Sequence, residues 1–108
     1  MKIDENLRIN RLIDVYGGLL TSKQLDIVTS YYYDNLTLTE IGANFGISRQ
    51  AVNDCLNQSI KSLENYETKL QLIYKMDIVE SQLMGLSREY NIDGFAQKID
   101  NIISDLRS

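Results

Sequence analysis

Three groups of side chains in this chain have types and spacings that can do chemistry. Ser48, Arg49, Gln50, Asn53, Asp54 and Asn57 recur at intervals of one, three and four, which gathers them on one side of a helix. Arginine pairs with guanine, and glutamine or asparagine with adenine, so Arg49, Gln50 and Asn53 carry the donors and acceptors for reading base edges. Thr37, Thr39 and Ser48 offer hydroxyls near helix starts, where phosphates bind. The run Tyr31-Tyr32-Tyr33 is the second group. Two of its rings are expected in the core and one at the surface, and contact with a partner is the other use for them. Cys55, the third, falls on an interior helical position and is expected to be a buried structural thiol.

The same inventory excludes much. Histidine is absent, which removes the commonest general base and the commonest metal ligand. A single cysteine rules out an internal disulfide and a Cys-rich zinc site. No Gly-x-x-x-x-Gly-Lys-Ser/Thr stretch occurs, so no P-loop nucleotide site is expected. The chain reads as no enzyme, with no metal and no cofactor. Its net charge of −4 opposes a strong non-specific grip on nucleic acid. From Gln24 through Ile60, Arg49 is the only base, against Asp26, Asp34, Glu40 and Asp54.

These residues need elements to position them. At 108 residues, 44% hydrophobic and 24% charged, the chain is expected to be soluble and to bury one real core. No apolar run approaches the ~20 residues of a membrane helix and no signal peptide opens the chain, so it is expected in the cytoplasm, without membrane insertion. Proline is absent, which leaves helices free to run on and favours an all-α fold. Leu7, Leu12, Ile13, Val15, Tyr16 and Leu19 mark a first amphipathic helix ending at Gly17–Gly18. Thr21 with Gln24, and Thr37 with Glu40, have capping-box spacing, and Ser48 is a good N-cap. Helices are therefore predicted near 22–33 and 38–45, and from 49 onward.

The middle helix of this set has only about two turns. Gly46 supplies the positive φ that ends it, and Gly42, one turn earlier, lets its neighbour approach closely. A short helix, a glycine turn and a longer helix make a helix-turn-helix, with Ile41, Phe45, Ile47, Val52, Cys55 and Leu56 as its interior. The stripe Val52, Leu56, Ile60, Leu63, Tyr66, Leu70, Ile73 predicts that the last helix runs to about Lys75, roughly 37 Å. Residues 1–75 are read as the helix-turn-helix domain and 76–108 as C-terminal helices for packing or dimerisation. There, Ile78, Val79, Leu83, Met84 and Leu86 precede a turn at Asn91–Gly94, and Phe95, Ile99, Ile102, Ile103 and Leu106 line a final helix.

The run from Leu38 through Val52 resembles the helix-turn-helix of region 4 of bacterial sigma factors. The wider set narrows the likeness: Leu19-Leu20-Thr21-x-x-Gln24, Tyr31-Tyr32-Tyr33, Glu40-Ile41, Ser48-Arg49-Gln50-Ala51-Val52 and Leu63-Glu64-x-Tyr66-Glu67 look like the YlxM-like family. The resemblance covers about residues 5 to 75, and Gly42 stands where the motif usually has alanine. It implies an all-α, sigma region 4-like fold with no wing, and an accessory role in the signal recognition particle pathway. The partners so implied are the particle's GTPase, its receptor or its RNA.

Two uses of the motif stay open at this point. One is a docking scaffold for protein or RNA, with Tyr31, Tyr32 and Tyr33 as partner contacts. The other is a transcriptional regulator that binds duplex DNA through Ser48, Arg49, Gln50, Asn53 and Asn57. The long apolar stripe needs covering, and a homodimer built by the C-terminal half is the expected solution.

Overall fold

Three capped helix starts set the frame of the protein, a computed structural model of which describes residues 2–89 and 94–107. The elements are α1 (Lys2–Tyr16), a 3-10 turn at Gly17–Leu19, α2 (Ser22–Tyr32), α3 (Leu38–Phe45), α4 (Arg49–Leu70), α5 (Leu72–Glu89) and α6 (Phe95–Arg107), with no strand among the described residues. Both capping boxes form as the spacing requires. Thr21 Oγ1 accepts from Gln24 N–H while Gln24 accepts from Thr21 N–H, and Thr37 with Glu40 does the same. Ser48 Oγ accepts from Ala51 N–H at 3.0 Å. Each cap contributes about 1 kcal/mol, enough to fix where each helix begins.

The chain divides into two compact units, one through Gln71 and one from Leu72. In the first, α4 packs against α1, α2 and α3. Its core is Ile9, Leu12, Ile13, Tyr16, Ile27, Val28, Ile41, Val52, Leu56 and Leu63, with Ser59 buried among them. The first helix departs from expectation at two positions: Leu7 is 63% exposed and Leu19 56%, while Ile9 is buried. Ile9, Leu12, Ile13 and Tyr16 keep the three-and-four spacing of one face, and Leu7, two residues before Ile9, falls on the opposite side. Phe45, Ile47 and Cys55 were expected inside and are half-buried.

The long helix ends sooner than its apolar stripe predicts. It stops at Leu70 because Gln71 takes the left-handed conformation at φ 53°, and its N–H closes on Glu67 O at 2.8 Å. Ile73 therefore belongs to α5, and the 22 residues of α4 span about 33 Å rather than 37 Å.

The second unit is the pair α5 and α6. Among its described residues Ile99 and Ile103 are the buried side chains, and Leu72, Ile78, Val79, Met84, Leu86, Ile102 and Leu106 are exposed. Helix α5 continues through Gly85 without a break. Of the turn expected at Asn91–Gly94, residues 91–93 lie outside the described residues, and Gly94 has φ 79°. The side chain of Phe95 is likewise outside them.

Candidate partner and nucleic-acid interface

The turn between α3 and α4 is built on two glycines. Gly46 sits at φ 68°, and its N–H, with that of Ile47, closes on Gly42 O. Gly42 is buried, and a Cβ there would stand 2.7 Å from Ile47 O. This close approach brings the first turn of α4 up against the start of α3. Leu38 from α3 and Arg49, Gln50 and Asn53 from α4 line one small cleft as a result.

Arg49 also lines a second, larger groove of about 610 Å³. Tyr31 and Tyr32 from α2, the Asn35–Leu38 connection, and Glu5, Asn6 and Ile9 from α1 form the rest of its wall. The α2 end of the groove is shaped by an edge-to-face pair, with the Tyr31 and Tyr32 ring centroids 4.9 Å apart at 77°. Asn35 turns the chain into the Thr37 cap with φ 57°, a conformation asparagine tolerates better than most residues. Burial, then Tyr31 and Glu5 nearby, push the Tyr32 hydroxyl above the ordinary tyrosine pKa.

The three tyrosines therefore do not act as one set. Tyr31 and Tyr33 are exposed and Tyr32 is half-buried, where two core rings were expected. The buried face of α2 is set by Ile27 and Val28, and a step of four from Val28 reaches Tyr32, which explains its partial burial. Tyr33 lies past the end of the helix and hydrogen-bonds to Asp14 of α1. Burial and that bond raise its pKa. Tyr33 is a tie between helices; Tyr31 and Tyr32 belong to the groove with Arg49. That grouping was invisible in sequence, because it joins residues 18 positions apart through the turn at Asn35.

The electrostatics of the face are mixed. Arg49 is exposed and makes no ion pair among the described residues. Gln50 donates to Asp54 Oδ1 at 2.9 Å, so the side chain expected to read adenine is already engaged. Asn53 is half-buried and Asn57 exposed. The hydroxyls of Thr37 and Ser48, expected near phosphates, both accept cap bonds. At the start of α3 the Glu40 carboxylate takes Thr37 N–H at 3.0 Å, which places an anion where a phosphate would sit. Thr37 N–H first, and then its hydroxyl, hold the Glu40 pKa below the ordinary carboxylate value. Among the described residues no cluster of three or more Cys, Asp or Glu gathers to hold a metal ion.

A family model of helix-turn-helix type, described as YlxM / p13 like, matches residues 3–102. The chain belongs to the YlxM / p13-like family. It is 41% identical over 99 residues to a UPF0122 protein of Streptococcus gordonii, covering 91% of this chain and 89% of that one. A UPF0122 protein of Streptococcus pneumoniae is 39% identical over 107 residues, 98% of this chain and 96% of the relative. A Streptococcus thermophilus relative gives the same identity and coverage. The match extends past the helix-turn-helix into α6, beyond the reach of the motifs that carried the likeness. Family membership agrees with an all-α helix-turn-helix chain, and no helix among the described residues is long and apolar enough to cross a membrane.

Proposed function

We propose that this YlxM-like protein is a non-catalytic accessory factor of the signal recognition particle pathway that docks a protein partner, the particle's GTPase or its receptor. The pathway is the one implied by the likeness of its sequence motifs. The docking mode rests on one observation: Tyr31, Tyr32 and Arg49 share a groove of about 610 Å³ beside the start of α4. Aromatic rings with an arginine are the composition of protein-binding hot spots. The surrounding charge favours a protein over a duplex, because Asp54 and Glu40 would face phosphates. This reading makes the protein cytoplasmic. It also assigns the first unit to docking and the second to self-association as a homodimer.

The test uses the full chain with the purified GTPase, its receptor and the particle RNA. Pull-down of one of the two proteins and altered GTP turnover are expected, with no turnover by this protein alone. Tyr31→Ala and Arg49→Glu should weaken capture about tenfold, which is 1.4 kcal/mol. Capture of the RNA alone would replace the protein partner, and unchanged turnover with no capture would overturn the reading.

Duplex DNA is the second reading, and a specific observation favours it. Arg49, Gln50 and Asn53 line one cleft at the N-terminal turn of α4, the part of a recognition helix that meets base edges.

A further inference from the structure

Resting on the homodimer reading above, we propose that the α5–α6 hairpin self-associates through one defined face. That face consists of Leu72, Val79 and Leu86 of α5 with Ile102 and Leu106 of α6, and its occupant is the same face of a second copy.

The hairpin has an inner seam and two flanks. On α5 the half-buried residues Ile73, Met76, Glu80, Leu83 and Ser87 recur at threes and fours, and on α6 the buried residues are Ile99 and Ile103. Each helical residue turns about 100°, so Leu72, Val79 and Leu86, spaced by seven, form a stripe roughly 80° to one side of the α5 seam. Ile102 and Leu106 lie roughly 60° to the same side of the α6 seam. The helices run antiparallel, since Glu80 pairs with Arg107 while Met84 shares a cleft with Ile103 and Ser104. In an antiparallel pair, offsets of the same rotational sense fall on the same flank. All five apolar residues therefore share one flank, and they are 38–46% exposed.

The opposite flank is different in kind. It carries the Glu80–Arg107 pair and Asp100, around a cleft of about 290 Å³. One flank is thus closed by an ion pair and the other is open and apolar. Facing two open flanks makes a four-helix bundle, the ordinary way for a two-helix hairpin with only two buried side chains among its described residues to acquire a core.

Charge at the rim selects the occupant. Lys98 and Asp105 lie seven residues apart on α6, on the outer border of the flank, with Ile102 between them. A two-fold axis near Ile102 sets α6 antiparallel to its copy and places each Lys98 beside the other chain's Asp105. The rim is complementary to itself.

Sedimentation velocity of the full chain at tens of micromolar should give twice the 12.4 kDa chain mass. Ile102→Lys and Leu86→Lys should shift it to monomer with helicity retained. Ile78→Lys, at a position as exposed as Leu86 but on the back of α5, should leave the dimer intact. Lys98→Glu and Asp105→Lys should each weaken self-association at least tenfold, and mixing the two variants should restore it. Ile102→Ser repeats the test with a milder change should a lysine variant fail to fold. A wild-type monomer at 100 µM would overturn the homodimer reading itself. A dimer that survives Ile102→Lys and Ile102→Ser would overturn this face while leaving the homodimer standing.

Discussion

Ile47 O stands 2.7 Å from where a Cβ on Gly42 would be, while Ile47 N–H donates to Gly42 O at 3.0 Å. The two residues are bonded and in contact at once, and this sets how closely α3 approaches the start of α4. The consequence for Gly42→Ala runs against helix propensity. Alanine gains up to about 1 kcal/mol in a helix interior, yet overpacking against a backbone oxygen costs about 1–3 kcal/mol. The variant should be about 1 kcal/mol less stable in urea titration. A more stable variant would show that the turn has slack enough to open.

Gly46→Val should cost more. Gly46 sits at φ 68° with open space around it, so the penalty is conformational and not steric crowding by neighbours. A left-handed position costs an ordinary residue about 1–2 kcal/mol, and a β-branched side chain more. Loss of at least 2 kcal/mol, or failure to fold, is expected. Gly46→Asn should recover much of that loss, and equal damage from both variants would contradict the φ argument.

The parts of this fold legible in the sequence are those written in local chemistry. Thr21, Thr37 and Ser48 cap the helices they were expected to cap, and Gly46 turns the chain as a glycine there should. What stayed hidden has no local signature. Gln71 ends α4 in a left-handed conformation that nothing about glutamine announces, so the apolar stripe seemed to run unbroken to Ile73. The Tyr31–Tyr32–Arg49 groove is likewise a product of tertiary packing. Periodicity says which residues share a face; it does not say which face of another helix they meet.

Tyr16 closes the far end of the first unit. It is 1% exposed, its hydroxyl donates to Glu67 Oε1 at 2.5 Å, and its ring lies 6.1 Å from that of Tyr66. A hydrogen bond to a charged group contributes about 1.5–3 kcal/mol net, more than a neutral bond. Tyr16→Phe keeps the ring and deletes only the hydroxyl, so a loss of about 2 kcal/mol in thermal or urea unfolding is expected. A change below about 0.5 kcal/mol would show that solvent serves Glu67 equally well.

Glu40 gives the protein a dependence on acid. Its pKa is lowered in the folded chain by Thr37 N–H and then by the Thr37 hydroxyl. A depressed carboxylate stabilises the fold above its unfolded pKa, and that contribution is lost as pH falls through the lower folded value. Thermal melts should therefore drop as pH falls below the ordinary carboxylate range. Glu40→Gln keeps an acceptor for the capping box but cannot titrate, so its melting curve should fall less steeply there. Identical slopes for the two proteins would show that the box carries no linked proton.

Arg49 separates the two functional readings, because each asks something different of the same side chain. As a base reader, it contributes through a bidentate contact, and Arg49→Ala should cost about 1–3 kcal/mol and relax one position of the site. Duplex affinity should then fall with salt, but at a shallow slope of about −1 to −2, since phosphate contacts set that slope and Arg49 is the only base from Gln24 through Ile60. As part of a docking groove, Arg49 acts together with Tyr31 and Tyr32, so Arg49→Ala and Tyr31→Ala should damage the same binding event. Tyr31 does not line the cleft that Arg49 shares with Gln50 and Asn53. The docking reading expects no shift of any duplex at micromolar protein and low salt, with both variants impaired in partner capture. A salt-sensitive duplex shift abolished by Arg49→Ala and untouched by Tyr31→Ala would hand the site to DNA.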